Sequence, residues 1–414
     1  MTKMHHQNSI DIAIVYGVDT QIGLSIIREL GKHGCQVVAI GKSKGSLGLC
    51  SKYVTHRYVL EAGDDANKVQ QLQAISDETG ATKLLCVSED DILFFNRIKD
   101  DLYPIKALVP SKTAIEKVLS KEFTAQTAKQ IGINTPDSWQ IDTLTEVDKL
   151  EEQLTFPVIL KWSNPHTVLK KAREHKVKIE KLIYCYNFAD LRQQLSIYSP
   201  LNSFPMIQNY IPGYGLGQFF FMHQGKALLR FQHQRLHEWP PEGGFSSLSE
   251  SVPLSQYQQL QEQSINLLTK LNWQGVAMVE YRYDPKNQKP VLMEINGRFW
   301  GSLPLAYHSG VPFAWYTYMV QGKNELPIKP LQIKEKIQCR NTLVEVKRLN
   351  RILFNSSKIK DKTLSFNKAF EVLVVLSGFF NPKMHYYLFE VSDLKPMLAD
   401  WKILFLKFVN KLKR

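Results

Sequence analysis

Residues 275–301, GVAMVEYRYDPKNQKPVLMEINGRFWG, set two carboxylates inside otherwise apolar segments, and few folds can absorb that. Gly275–Tyr283 and Pro290–Ile295 read as β-strands, with Asp284–Asn287 as the turn between them. Strands joined by so short a turn lie antiparallel. Glu280 in AMVEY and Glu294 in LMEIN then sit on neighbouring strands, and a carboxylate buried there is costly unless paired or metal-bound. Side chains at i and i+2 share a strand face, so Glu294, Asn296 and Arg298 point one way if the chain stays extended. Two readings stay open. Two carboxylates and an amide oxygen suit Mg²⁺, which binds beside substrate phosphates, and Arg298 would hold a phosphoryl or acyl-phosphate oxygen. Alternatively, both glutamates are edge residues in salt bridges with Arg282 and Arg298.

The N-terminus imposes a second constraint. Ile10–Gly17 (IDIAIVYG) is a buried strand closed by glycine. Ile22, Ile26, Ile27 and Leu30 carry helical periodicity, Gly34 stops that helix, and CQVVAIG forms the next strand. This β-α-β start predicts a parallel sheet, to which Lys83–Ser88 adds a strand, and the unit closes near Pro110. The turn Gly17–Gly23 could bring backbone amides to a phosphate. It lacks G-x-G-x-x-G and an acidic residue ending the second strand, so a structural turn is the preferred reading over an NAD site.

A new unit starts at Pro110-Ser111. The pattern predicts a helix over Thr113–Ile131 stopped by Gly132, then a strand Phe156–Trp162 (FPVILKW) with one lysine. Ser163–Lys181 is polar, lysine-rich and free of glycine. Pro205–Ile211 is a strand entering the turn Pro212–Gly215. Gln218–Met222 and Ala227–Gln232 form a hairpin turning at Gln224-Gly225, and Leu254–Leu271 is a helix.

In this order the sequence resembles the ATP-grasp superfamily, and in particular its carboxylate–amine ligases. That family has an acidic residue on one strand and E-x-N-x-R on the next, matched by Glu280 and by Glu294-Ile-Asn296-Gly-Arg298. It has one lysine at a helix start and another in a P-V-x-L-K strand, the places of Lys121 and Lys161. Gln208-Asn209-Tyr210-Ile211-Pro212-Gly213 is similar to its adenine-binding hinge, although Asn209 stands where an acidic residue is common. Arg235 through Gly243-Gly244 resembles an arginine-plus-Gly-Gly segment of ligase-like subgroups.

The resemblance implies an α/β fold: a Rossmann-like parallel-sheet domain over 1–110, then a two-lobed ATP-grasp domain over 111–327. Within the latter, the lid lobe takes about 155–211 and the metal-binding lobe about 212–327; a basic extension follows over 328–414. It implies an ADP-forming ligase that phosphorylates a carboxylate with ATP and passes the acyl phosphate to an amine, such as an amino acid or a sugar or glycan precursor. ATP would be bound by Lys121, Lys161, Gln208, Asn209, Tyr210 and Ile211. Mg²⁺ (or Mn²⁺) would be held by Glu280, Glu294 and Asn296, while Arg298 and Arg235 would serve catalysis. These cations neutralise the repulsion between a carboxylate and the phosphates. The polar segment 163–181 and the Gly243-Gly244 loop would shield the acyl phosphate. Arg235 either anchors the substrate carboxylate or packs on Trp239. His237 and Glu238 could deprotonate the amine, although a structural role for His237 is preferred, as it is for His308. Other readings are a bicarbonate-using carboxylase, or a nucleotide-binding scaffold on a membrane without catalysis.

Charge separates the C-terminal segment from the rest. Of the net +13, residues 329–414 supply +11, from 18 Lys+Arg against 7 Asp+Glu. Such asymmetry points to an anionic partner. Residues 400–414 (DWKILFLKFVNKLKR) form an amphipathic helix that either packs on the core, the preferred reading, or meets an anionic membrane. No nucleic-acid module is visible. No stretch reaches the ~18 apolar residues of a membrane span. The most apolar run, Ala369–Phe380, contains Glu371. Five cysteines without a CxxC pair, and no apolar signal before Asp11, fit reduced thiols and a cytoplasmic setting, with the inner membrane face as the alternative. A homodimer is the simplest oligomer left open.

Overall fold

The computed structural model describes residues 10–162, 165–180, 182–327 and 331–402. Three sheets organise it. The first is wholly parallel, in the order β3-β2-β1-β4-β5, from β1 (Ile12–Tyr16), β2 (Gln36–Gly41), β3 (Val54–Val59), β4 (Lys83–Cys86) and β5 (Lys106–Ala107). This is the Rossmann-like order. Helix α1 (Gln21–Lys32) follows β1; α2 (Asp65–Thr79) and α3 (Glu89–Ile98) follow β3 and β4. In the turn after β1, the Asp19 carboxylate accepts from Ser46 Oγ and from the Lys42 amide, so that turn is tied to its own sheet.

The predicted helix over 113–131 is two helices, α4 (Lys112–Leu119) and α5 (Lys121–Gln130). Ser120 makes the break. Its backbone is extended, its amide closes α4 on Glu116, and its side chain accepts from the Phe123 amide. A serine that can cap the next turn competes with continuing the helix. The result sets Lys121 at the first position of α5.

The second sheet, order β6-β9-β7-β8, comprises β6 (Ser138–Trp139), β7 (Val158–Lys161), β8 (Ile183–Cys185) and β9 (Met206–Asn209). Within the lysine-rich segment, Pro165–Glu174 is helical. The third sheet has seven strands in the order β14-β13-β10-β11-β12-β15-β16. These are β10 (Tyr214–His223), β11 (Lys226–Trp239), β12 (Phe245–Ser251), β13 (Gly275–Asp284), β14 (Lys289–Asn296), β15 (Gln338–Arg340) and β16 (Met384–Tyr386). The first hairpin is longer than its apolar runs suggested. Phe219 and Phe220 are buried on opposite faces, and that two-sided burial extends the strands to Tyr214 and Trp239.

The basic extension adds β15 and β16 to this sheet, and its Cys339 and Tyr387 share one core with Val15, Phe219 and Trp300. A buried ion pair fastens it to the first domain: Arg28 Nε lies 3.0 Å from Asp393 Oδ2, with side chains 2% and 0% exposed. Arg28 Nη2 also donates to the carbonyls of Leu388 and Asp393, both at 2.9 Å. Ser51 Oγ and the Lys52 amide satisfy the Asp393 carboxylate at 2.8 and 2.9 Å. The amphipathic stretch 400–414 lies outside the described residues after Lys402. Among the described residues, no helix is long and apolar enough to cross a membrane. All five cysteines are free thiols.

Removing one partner of such a pair leaves an uncompensated buried charge. Arg28→Ala is expected to cost about 3–5 kcal/mol in urea denaturation, and Arg28→Lys to recover only part, since lysine cannot reproduce the fork of donors.

Candidate active site

A cleft of about 920 Å³ is lined by Lys121 from α5, Lys161 and Gln208 from the second sheet, Glu294 and Asn296 from β14, Arg298, and Glu89 from α3. Four parts of the chain thus converge on it. Within the hairpin β13–β14, Glu280 and Glu294 are direct cross-strand partners, with a register shift immediately after Glu280. Asn296 Nδ2 donates to Glu294 Oε1 at 3.2 Å, and Arg298 Nη2 donates to Asn296 Oδ1 at 3.1 Å. The i, i+2, i+4 series is one connected row, set by strand periodicity for Glu294 and Asn296 and carried past the end of β14 to Arg298 by its hydrogen bond to Asn296.

Electrostatics couple this row to the lysines. Lys121 Nζ lies 3.6 Å from Glu294 Oε2. Lys161 is pushed down from 10.5 to about 8, first by burial and then by the Lys121 ammonium, against the opposing pull of Glu294 and Glu280. Burial disfavours the Glu294 anion, but Lys121, Lys161 and the Asn296 amide outweigh it and hold its carboxyl below the ordinary range. Glu280 is moved the other way, by burial and by the Glu294 charge, although Arg235 resists. Two cations crowded at one end of a cleft, one of them partly desolvated, make a receptor for polyanions.

Arg235 sits behind Glu280. Its Nη2 is 2.7 Å from Glu280 Oε2, and its Nη1 lies 3.1 Å from Glu238 Oε1 and 2.8 Å from the Gly244 carbonyl. Register shifts between Arg235 and Glu238 bring these side chains, three apart, to the same side of β11. Gly215 makes the room, since a Cβ there would lie 2.6 Å from Arg235 Cδ. Burial works against the Arg235 charge, but Glu280 and Glu238 over-compensate and raise its affinity for the proton. Its Nε is buried with no hydrogen-bond partner among the described residues.

These contacts correct several expectations. Glu280 pairs with Arg235, while Arg282 pairs with Glu238 at 3.0 Å and Arg298 with Glu89 at 3.2 Å. The salt-bridge alternative thus named the wrong partners, because contacts across β10 between β11 and β13, and α3, choose them. Arg235 does not pack on Trp239; Arg351 lies over that ring, at 5.3 Å. His237 Nδ1 meets the buried Glu345 Oε2 at 2.8 Å, and Glu345 also accepts from Ser247. His308 stacks on His385 and burial pushes it down to about 3, as suits a structural residue.

The hinge residues divide. Gln208 lines the cleft. Asn209 donates to Asp137 at 3.4 Å, and Tyr210 turns its hydroxyl to Asp361 at 2.8 Å, so neither side chain lines it; nor does Ile211. The Gly243-Gly244 loop is docked on the second sheet through Tyr184 Oη, which donates to the Glu242 carbonyl at 2.7 Å. Glu89 escaped sequence reasoning. Its signal was the capping-box serine of Ser88-Glu89-Asp90-Asp91 just beyond a parallel strand, where open α/β sheets gather ligands.

Among the described residues, no group of three or more His, Cys, Asp or Glu could hold a metal. Glu280, Glu294 and the Asn296 oxygen nevertheless fit Mg²⁺, which takes one or two carboxylates and completes its shell with phosphates and water.

Comparison with known proteins bears on the fold. Residues 247–328 match the family described as carbamoyl-phosphate synthase L chain, ATP binding domain. No curated protein sequence matches the chain. Among solved structures, N5-carboxyaminoimidazole synthetase from Staphylococcus aureus aligns with a TM-score of 0.61 at 14% identity, over 84% of this chain and 86% of that one. The biotin carboxylase domain of Hydrogenobacter thermophilus 2-oxoglutarate carboxylase, with MgADP and bicarbonate, aligns with a TM-score of 0.60 at 13% identity, over 80% and 74%. Biotin carboxylase from Campylobacter jejuni aligns with 0.60 at 16% identity, over 79% and 74%.

A depressed lysine pKa fixes the sign of a pH effect. Between about 8 and 10.5 the unfolded chain holds more protons on Lys161 than the folded one, so this residue's penalty is full below 8 and relieved as pH rises to 10.5. Lys161→Met is expected to raise Tm by about 2 °C at pH 7 in calorimetry, the gain shrinking over that window.

Proposed function

Starting from a chain that has the ATP-grasp fold, we propose an ATP-dependent ligase that activates a carboxylate as an acyl phosphate and transfers the acyl group to an amine, releasing ADP and phosphate. The observation that carries this reading is the meeting of Lys121 and Lys161 with the Glu294–Asn296–Arg298 row in one cleft. Lys121 and Lys161 would bind the triphosphate, and Gln208 and the hinge backbone would face the base. Arg298, oriented by Glu89 and Asn296, would meet the charge developing on the transferred phosphoryl group. Glu280, Glu294 and Asn296 would hold Mg²⁺, which when bound lowers the repulsion between the attacking carboxylate and the phosphates. Arg235, which does not line the cleft, would act as a positioning residue by fixing Glu280 through its Nη2. The lysine-rich segment and the docked Gly243-Gly244 loop would keep water from the acyl phosphate.

A second reading has a specific source. The S. aureus and H. thermophilus neighbours are described as an N5-carboxyaminoimidazole synthetase and a carboxylase domain with bicarbonate. Bicarbonate as the activated acid is therefore the runner-up, and the same cations would serve it.

Incubation with ATP, Mg²⁺ and a library of small carboxylic acids is expected to yield hydroxamate when hydroxylamine is added; phosphate release driven by bicarbonate alone would favour the second reading. Glu294→Ala should lower metal-dependent phosphate release by about 100-fold or more with an unchanged circular dichroism spectrum. Near-normal turnover in that variant would overturn its assignment.

A further inference from the structure

We propose that the helix Lys368–Ser377 and the turn Gly378–Phe380 form a surface that docks the protein on an anionic lipid bilayer. This helix is apolar throughout except for its ends and Glu371, yet none of its residues is buried. Phe370, Leu373 and Leu376, spaced i, i+3 and i+6, form one outward face and are 60%, 61% and 55% exposed; Phe379 and Phe380 continue it at 57% and 87%. The half-buried opposite side carries Val372, Val374 and Val375 beside the helix's one carboxylate, Glu371. Glu371 receives both Nη atoms of the buried Arg348, at 2.7 and 3.2 Å, and Arg340 Nη1 donates to the Val375 carbonyl at 2.9 Å. Gly378 lets the chain pass close over Arg340, where a Cβ would lie 2.2 Å from Nη2.

The helix is thus apolar on both sides, with its one carboxylate turned inward and Phe370, Leu373 and Leu376 left outward. A helix held this way cannot satisfy its apolar face by rotating, because its inner ion pair fixes the rotation. Contiguous exposed hydrocarbon of this kind marks an interaction site. Charge selects the occupant. The segment 329–414 carries net +11, and exposed cations here are lysines such as Lys347, Lys362, Lys368 and Lys383. Protein–protein interfaces deplete lysine. A second copy seated on this face would bring two such basic segments together, and like charges oppose that. Exposed Phe and Leu ringed by lysine suit the boundary between anionic headgroups and acyl chains.

Co-sedimentation of the full chain with phosphatidylcholine vesicles, with and without about one third phosphatidylglycerol, tests this. The protein is expected to bind the anionic vesicles, less so at high salt, and to ignore the neutral ones. The quadruple variant F370S/L373S/F379S/F380S should lose more than about tenfold of that binding. Its circular dichroism and phosphate release in solution should stay unchanged, since no substituted residue is buried or lines the cleft. The proposal is overturned if the variant sediments like the parent, or if the parent binds neither vesicle. It is equally overturned if the parent ignores vesicles and is a dimer that the variant converts to monomer, which would assign the face to a second copy.

Discussion

Two carboxylates lie side by side on adjacent strands of the hairpin β13–β14, and each is answered by cations from elsewhere in the chain. Glu280 is met by Arg235 from two strands away, and Glu294 by Lys121 from α5 and Lys161 from β7. Like charges this close repel each other, and burial sharpens the repulsion. The parts of the chain supplying the cations must therefore assemble around the hairpin. The same compensation leaves the cleft unfinished in charge: Lys161 is partly stripped of its solvation, and two ammonium groups crowd together. A site tuned this way sacrifices stability in the ligand-free protein.

The seven-stranded sheet turns this local arrangement into a rigid one. β10 and β13 fill both faces with aromatic and aliphatic side chains, so the hairpin cannot shift register without turning buried residues to water. The C-terminal extension contributes to the same rigidity. It closes the far edge with β15 and β16, sends Asp393 to Arg28 of α1, and supplies the Glu345 that orients His237. The segment with most of the net charge is thus also a structural brace, and its one misfit, the outward apolar helix, stands out against otherwise economical packing.

Legibility followed range. The strands around Glu280 and Glu294 and the β-α-β start could be read because each rests on periodicity or spacing within about ten residues; the order of lysines, hinge and E-x-N-x-R row was legible only as a resemblance to a known family. The failures were equally physical. Ser120 broke a helix that hydrophobic periodicity carried through, because capping competes with propagation. The Tyr210 hydroxyl turns to Asp361 of the extension, and Arg235, read equally as a substrate anchor or as packed on Trp239, pairs with Glu238 and Glu280, contacts that no local pattern encodes. Glu89 and Arg298 are far apart in sequence and meet because α3 points its first turn at the cleft.

By itself the sequence determined the β-α-β start, that two carboxylates would sit on neighbouring strands of one hairpin, and that residues 329–414 would be strongly basic. Backbone periodicity and local hydrogen bonding set those features, and they act between near neighbours. Only the tertiary structure decided which cation answers which carboxylate, which hinge side chains face the cleft, and which side of helix Lys368–Ser377 faces out. Those depend on strand order and on long-range ion pairs, whose energies exist only once distant segments have been brought together.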